Sequence, residues 1–180
     1  MMNQKNFGKA MLAVLLMAAV LLGASMLLRG PGKAAYIQEK KDVVHFILPG
    51  SGPFTYVEYT GEDESIQKIY QSDKGYVIET LVDGYVDDIR LMVGVSNEGK
   101  VQGITVRQMA ETPGLGTQAL TDYTFLMQFL YTTGDAQVGE NVDAMTGATV
   151  TSKAIARGVN SAVAYVTGAD VATGATSWGG

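Results

Sequence analysis

The chain has 180 residues, with 13 Lys/Arg against 18 Asp/Glu, a formal net charge of −5, no cysteine and a single histidine, His45. Without thiols there is no disulfide, thiolate-bound zinc or iron–sulfur cluster, and one imidazole is too few for a histidine-built metal site. The acidic balance argues against nucleic acid as a partner, since that binding draws on basic patches, so any redox work here calls for an organic cofactor.

Residues 1–9 form a short N-terminal segment, and residues 10–28 contain no charge and consist mainly of Leu, Ala, Val and Met. Nineteen helical residues rise about 28 Å, close to the ~30 Å hydrocarbon core, so this run predicts a single transmembrane helix set in lipid. It is long for the apolar part of a signal peptide, and Ala34-Ala35 is a poor cleavage signal, so a retained anchor is expected. The first four charged residues, Lys5, Lys9, Arg29 and Lys33, are all basic, which leaves nine basic against eighteen acidic residues beyond position 35. That excess disfavours adhesion to anionic head groups. With Lys40 and Lys41 added on the C-terminal side, the flanking charges do not by themselves place the following domain outside the cell.

Residues 29–35 read as a linker, and residues 36–168 as one domain of ordinary size. Pro49 to Pro53 marks a loop, Phe54 to Tyr59 a strand, and Gly61 to Glu64 an acidic turn without the pattern of a calcium loop. Residues 66–72 suit a strand or a short helix. The β signal is clearest in Tyr76–Val82, Ile89–Val95 and Val101–Arg107, the last two joined by a turn with Gly99 at a positive-φ position. Such a meander is antiparallel. A Pro-Gly-Leu-Gly loop follows, then a helix opened by Thr121-Asp122, striped with Tyr123, Leu126, Met127 and Leu130, and ended by Gly134. Ser152 to Val166 predicts a second helix with Ile155, Val159, Ala162, Val163 and Val166 on one face and Gly168 just past its end. Residues 169–180 form a tail. The expected class is α+β: a small antiparallel sheet packed with helices, behind the membrane anchor.

Two segments carry chemistry. Asp143 to Ser152 reads Asp-Ala-Met-Thr-Gly-Ala-Thr-Val-Thr-Ser, placing four hydroxyls around Gly147-Ala148 at a helix start. Free N–H groups and the helix dipole make that start a natural phosphate site, and a glycine admits a ligand close to the backbone. Residues 111–117 read Glu-Thr-Pro-Gly-Leu-Gly-Thr.

Both segments resemble motifs of the FMN-binding domain proteins, which include the G subunit of Rnf-type electron-transport complexes and the C subunit of the sodium-pumping NADH:quinone reductase. The family pattern is Asp, two variable residues, Ser or Thr, Gly, Ala, Thr, a variable residue, then Ser or Thr. Asp143, Thr146, Gly147, Ala148, Thr149 and Thr151 match it, and the resemblance extends over residues 75–167. It implies that Thr149 bears FMN through a phosphoester made by a separate flavin transferase. Thr146, Thr151 and Ser152 would bind the remaining phosphate oxygens, and Glu111, Thr112, Gly114, Leu115, Gly116 and Thr117 would form a loop against the flavin ring. It further implies an extracytoplasmic domain that passes electrons among membrane redox proteins. Lys153 and Arg157, four apart, suit either phosphate neutralisation or an exposed basic face. The tail repeats Asp-x-x-Thr-Gly-Ala-Thr from Asp170, which makes Thr176 a second candidate for attachment, although Trp178 stands where the pattern has its final hydroxyl. A binding or structural module of the same fold that stays unflavinylated, and a stand-alone flavin reductase, are the alternative functions.

Overall fold

The computed structural model describes Met17 and residues 43–111 and 113–169 of the chain. The chain divides into a unit of Met1–Val43 and a unit of Val44–Gly180, and the sheet and its helices belong to the second. The expected anchor at residues 10–28 lies outside the described residues apart from Met17, and so does the tail from residue 170. Among the described residues no helix is long and apolar enough to cross a membrane.

Five strands form one sheet in the order of the chain: β1 (Thr55–Val57), β2 (Ile66–Gln71), β3 (Gly75–Asp83), β4 (Asp88–Ser96) and β5 (Val101–Gln108), every pair antiparallel. The two central strands are buried on both faces, which is why Val77-Ile78 and Leu91-Met92-Val93 read as apolar runs without a strict alternation. One face carries α2 (Thr149–Thr167), which meets β3 and β4 through Gly158: a Cβ there would fall 2.7 Å from Leu91 Cδ1 and 2.9 Å from Thr80 Oγ1. Ile78, Val93, Phe129, Ile155 and Val159 are buried in the core beneath it. On the other face Ile47 packs over the cross-strand pair Gly94 and Gly103. Side chains alternate across a strand, so Glu79 lies on that face, where it is buried and pairs with Arg90.

The α+β expectation holds for this unit, and the ambiguous stretch after residue 65 is a strand. The helix expected after Thr121 is shorter than its pattern suggested. A 3-10 helix (Gly116–Leu120) precedes α1 (Tyr123–Met127), whose first N–H groups include that of Phe125, bound by Asp122 Oδ1 at 3.0 Å. Phe125, Leu126 and Phe129 are buried, whereas Tyr123 and Met127 of the expected stripe are exposed. Single i→i+3 turns follow α1 up to Tyr131, whose φ of 66° is left-handed, so the 3.6-residue period does not persist.

Candidate functional site

Three segments far apart in sequence meet at one carboxylate. Residues 84–87 form the turn of the β3–β4 hairpin, closed by the Asp83 and Asp88 pair and by Gly84 N–H donating to the Asp87 carbonyl at 3.1 Å. Glu111 is buried below this turn. Its Oε1 accepts from the backbone N–H groups of Tyr85 at 2.9 Å, Val86 at 3.0 Å and Asp87 at 3.5 Å. Its Oε2 accepts from Thr151 Oγ1, in the first turn of α2, at 2.7 Å. Burial pushes the Glu111 carboxyl up, but the donors from Val86, Thr151, Asp87 and Tyr85 together outweigh it and hold the group below its ordinary value.

Glycines let these segments close. A Cβ on Gly84 would collide with Glu111 Oε1, and one on Gly116 would fall 2.7 Å from Glu111 Cβ and 2.8 Å from both Glu111 Oε2 and Thr151 Oγ1. Gly147 has φ +73°, and a Cβ there would lie 2.9 Å from Leu115 Cδ2. Leu115 therefore sits against Gly147, and the two motifs singled out in the sequence are neighbours. Gly114, with φ +77°, is exposed and donates to Thr117 Oγ1 at 3.1 Å, while its carbonyl accepts from the Gln118 side chain. Thr112 lies outside the described residues.

The four hydroxyls of the second motif divide in two. Thr151 and Ser152 are buried, at 1% and 0% exposure, and both are engaged inside the protein. Ser152 Oγ accepts from Met145 N–H at 3.0 Å and donates to the Ala148 carbonyl at 2.9 Å, closing the turn that feeds α2. Thr146 and Thr149 are exposed. Thr149 is the first residue of α2; the cap position is Ala148, and no side chain caps it. The opening N–H groups of a helix have no partner within it, so a 19-residue helix here presents an uncapped, electropositive end beside the exposed Thr149 hydroxyl.

The rest of the neighbourhood holds this end in place. The Gln128 side chain, just past α1, accepts from Asp143 N–H at 2.8 Å and donates to the Asp143 carbonyl. Asn160 of α2 exchanges two hydrogen bonds with the Ala136 backbone, at 3.1 Å and 3.0 Å. Arg157 donates to the Asp83 carbonyl at 2.9 Å, tying α2 to the end of β3, and Lys153 is exposed one turn from the helix start. Sequence reasoning missed Tyr85 and Val86, which project at 69% and 61% exposure from the turn that Glu111 holds; Leu115 is 42% exposed. Two large apolar residues inside the acidic run Asp83 to Asp88 were the available signal. The site thus offers an anion-binding end with two free hydroxyls and an exposed apolar rim. An anionic ligand with an apolar body fits that pairing.

Residues 84–164 match the family model described as the FMN-binding domain, a span that runs from the hairpin turn into α2 and holds every segment above. The chain is 40% identical over 110 residues to the G subunit of a proton-translocating ferredoxin:NAD(+) oxidoreductase complex from Clostridium ljungdahlii, covering 54% of this chain and 59% of that protein. It is 34% identical over 98 residues to the G subunit of a Na(+)-translocating ferredoxin:NAD(+) oxidoreductase complex from Acetobacterium woodii, covering 49% and 47%. With the G subunit of an ion-translocating oxidoreductase complex from Methanosarcina acetivorans the identity is 28% over 184 residues, covering 92% and 97%. The first two alignments span about half the length of those relatives. Over this span the chain is similar to the FMN-binding domain and to the G subunits of ion-translocating oxidoreductase complexes, the resemblance that its two motifs carried.

Proposed function

We propose that this chain is a membrane-anchored electron carrier that holds FMN covalently through Thr149. The observation that carries the proposal is the exposed Thr149 hydroxyl at the uncapped start of α2, inside the span that matches the FMN-binding domain. The bound flavin supplies the redox chemistry; the protein supplies attachment, orientation and electrostatics. Thr149 Oγ gives up its proton and bonds to phosphorus. A flavin transferase catalyses this step and breaks a phosphoanhydride in an activated flavin nucleotide, whose other half leaves with the bridging oxygen. The opening N–H groups of α2 and the exposed Thr146 hydroxyl would hold the phosphate oxygens, with Gly147 leaving room for them. Thr151 and Ser152 support this surface from inside. Leu115, Gly116 and Thr117 form the ring side of the site, with Glu111 beneath them.

The relatives are named as subunits of ion-translocating oxidoreductase complexes. By that likeness the chain serves a membrane redox complex as a flavin-bearing subunit, fixed by a single span at residues 10–28 with its domain on the extracytoplasmic side.

The test is the intact mass of the full chain co-produced with a flavin transferase, for wild type and Thr149→Val. One FMN adduct in wild type and none in the variant is the expected result. An adduct that persists in the variant moves attachment to Thr176 or elsewhere. No adduct in wild type overturns the proposal in favour of an unflavinylated binding module.

A further inference from the structure

We propose that the Glu111–Thr151 pair is the positioning device of the flavin site, and that it fixes the hairpin turn carrying Tyr85 and Val86 relative to the start of α2. The role assigned toward the flavin rests on the electron-carrier reading; the device itself does not. Glu111 Oε1 gathers the turn through three backbone N–H groups, and Oε2 takes the Thr151 hydroxyl. Each bond to an ionised acceptor is stronger than a neutral one, and Glu111 is buried, so a lost donor is costly to replace.

The pair joins the turn, the 111–117 loop and the first turn of α2 directly, whereas Arg157 reaches the end of β3 at the Asp83 carbonyl from two turns into α2. Gly84 and Gly116 admit no Cβ where the carboxylate sits, so the packing is built around the pair. Thr151 is two residues from Thr149, so a shift of the pair moves the attachment point relative to the apolar rim. The hydroxyl at 151 therefore acts as a spacer between phosphate end and ring end, with its own oxygen withheld from the ligand.

Thr151→Val, Thr151→Ser and Glu111→Gln test this in the full chain. Amide hydrogen exchange is measured first in unflavinylated protein carrying Thr149→Val. Exchange at Tyr85, Val86 and Asp87 is expected to rise about tenfold in Glu111→Gln, the order expected when charge-assisted bonds become neutral. The strands should keep their protection. The midpoint potential and visible circular dichroism of flavinylated protein follow: both shift in Thr151→Val and return to wild-type values in Thr151→Ser, which a purely structural role would not require. Unchanged exchange in Glu111→Gln overturns the device, and an unchanged potential and dichroism in Thr151→Val overturn its role toward the flavin. If Thr151→Val does not fold, Glu111→Gln decides: wild-type potential and dichroism there overturn the role toward the flavin. Wild-type protein without an adduct defeats the carrier reading alone, because the exchange measurement is made without flavin.

Discussion

Gly116→Ala adds one methyl at the closest-packed point of the site. That carbon would fall 2.7 Å from Glu111 Cβ and 2.8 Å from both oxygens of the Glu111–Thr151 hydrogen bond, well inside the ~3.5–4.0 Å of an ordinary contact. Gly116 is not in the left-handed region, so the substitution tests space and not backbone strain. Two responses are available. Opening the bond costs about 1.5–3 kcal/mol for a charged acceptor, and keeping it while the loop moves costs about 1–3 kcal/mol of overpacking. They are alternatives, so the smaller one applies. Alanine restricts the unfolded chain and returns about 0.4–1 kcal/mol. The net expectation is a loss of roughly 1–2 kcal/mol, or a fall in Tm of about 3–10 °C for a domain of this size. Urea unfolding measures it, and a cycle with Thr151→Ala gives its origin. Without the Thr151 hydroxyl the new methyl has room on one side, so the loss should shrink by about 1 kcal/mol. Gly114→Ala is the control: its φ of +77° predicts about 1–2 kcal/mol of backbone strain, with nothing near its Cβ and no coupling to residue 151. A Gly116→Ala protein within ~0.5 kcal/mol of wild type, inside the ordinary range of neutral substitutions, would refute the reasoning, as would equal losses in the two backgrounds.

Glu111 also predicts a pH dependence. Its native value is depressed, so the native state holds fewer protons than the unfolded chain as pH falls, and the stability it contributes is complete above the unfolded value of ~4.3 and lost as pH drops through the native one. The stability difference between wild type and Glu111→Gln should be flat from pH 7 to about 5 and shrink below that; a difference that grows on acidification would contradict the assignment. Asn160→Leu removes both partners of the Ala136 backbone inside the core, where each orphaned group costs about 1–3 kcal/mol. Denaturant unfolding should show a loss of at least ~2 kcal/mol, and a near-neutral result would mean that Ala136 finds other partners.

The meander was legible because sheets are written locally. Val77 to Val82 and Leu91 to Val95 carry enough β-branched and apolar residues, and the turn at Gly99 links two neighbouring strands. The α1 region was not, since its stripe of Tyr123, Leu126, Met127 and Leu130 assumed a helix long enough to hold one face inward, and α1 is a five-residue helix. Its tertiary setting buries Phe125 and Phe129 and leaves Tyr123 outside. The motif at 143–152 was visible as a helix entry because its hydroxyls and Gly147 directly precede an apolar helical stripe. The Glu111 cluster was not visible at all: its partners lie 24 to 40 positions away, and no periodicity relates residues that meet only in the folded chain. The missed turn at Tyr85-Val86 belongs to the same class, legible as a hairpin end but not as one wall of a site.

The division of the hydroxyls, by contrast, follows from spacing once α2 is known to begin at Thr149. At 3.6 residues per turn, each step rotates a side chain by about 100°, so residues two apart point to nearly opposite sides of a helix. Thr149 and Thr151 cannot both face one ligand. Ser152 is one further step round, so the inward direction falls between Thr151 and Ser152, and the Ser152 hydroxyl is taken by Met145 N–H and the Ala148 carbonyl. If Thr151 points inward to Glu111, Thr149 must point out into solvent. The same argument makes exchanging the roles of the two positions costly. A ligand on Thr151 would need the helix turned by about half a revolution, taking Ile155, Val159 and Ala162 out of the core. The final hydroxyl of the pattern thus reports on how the helix is seated, and the one before it on which hydroxyl is left facing solvent.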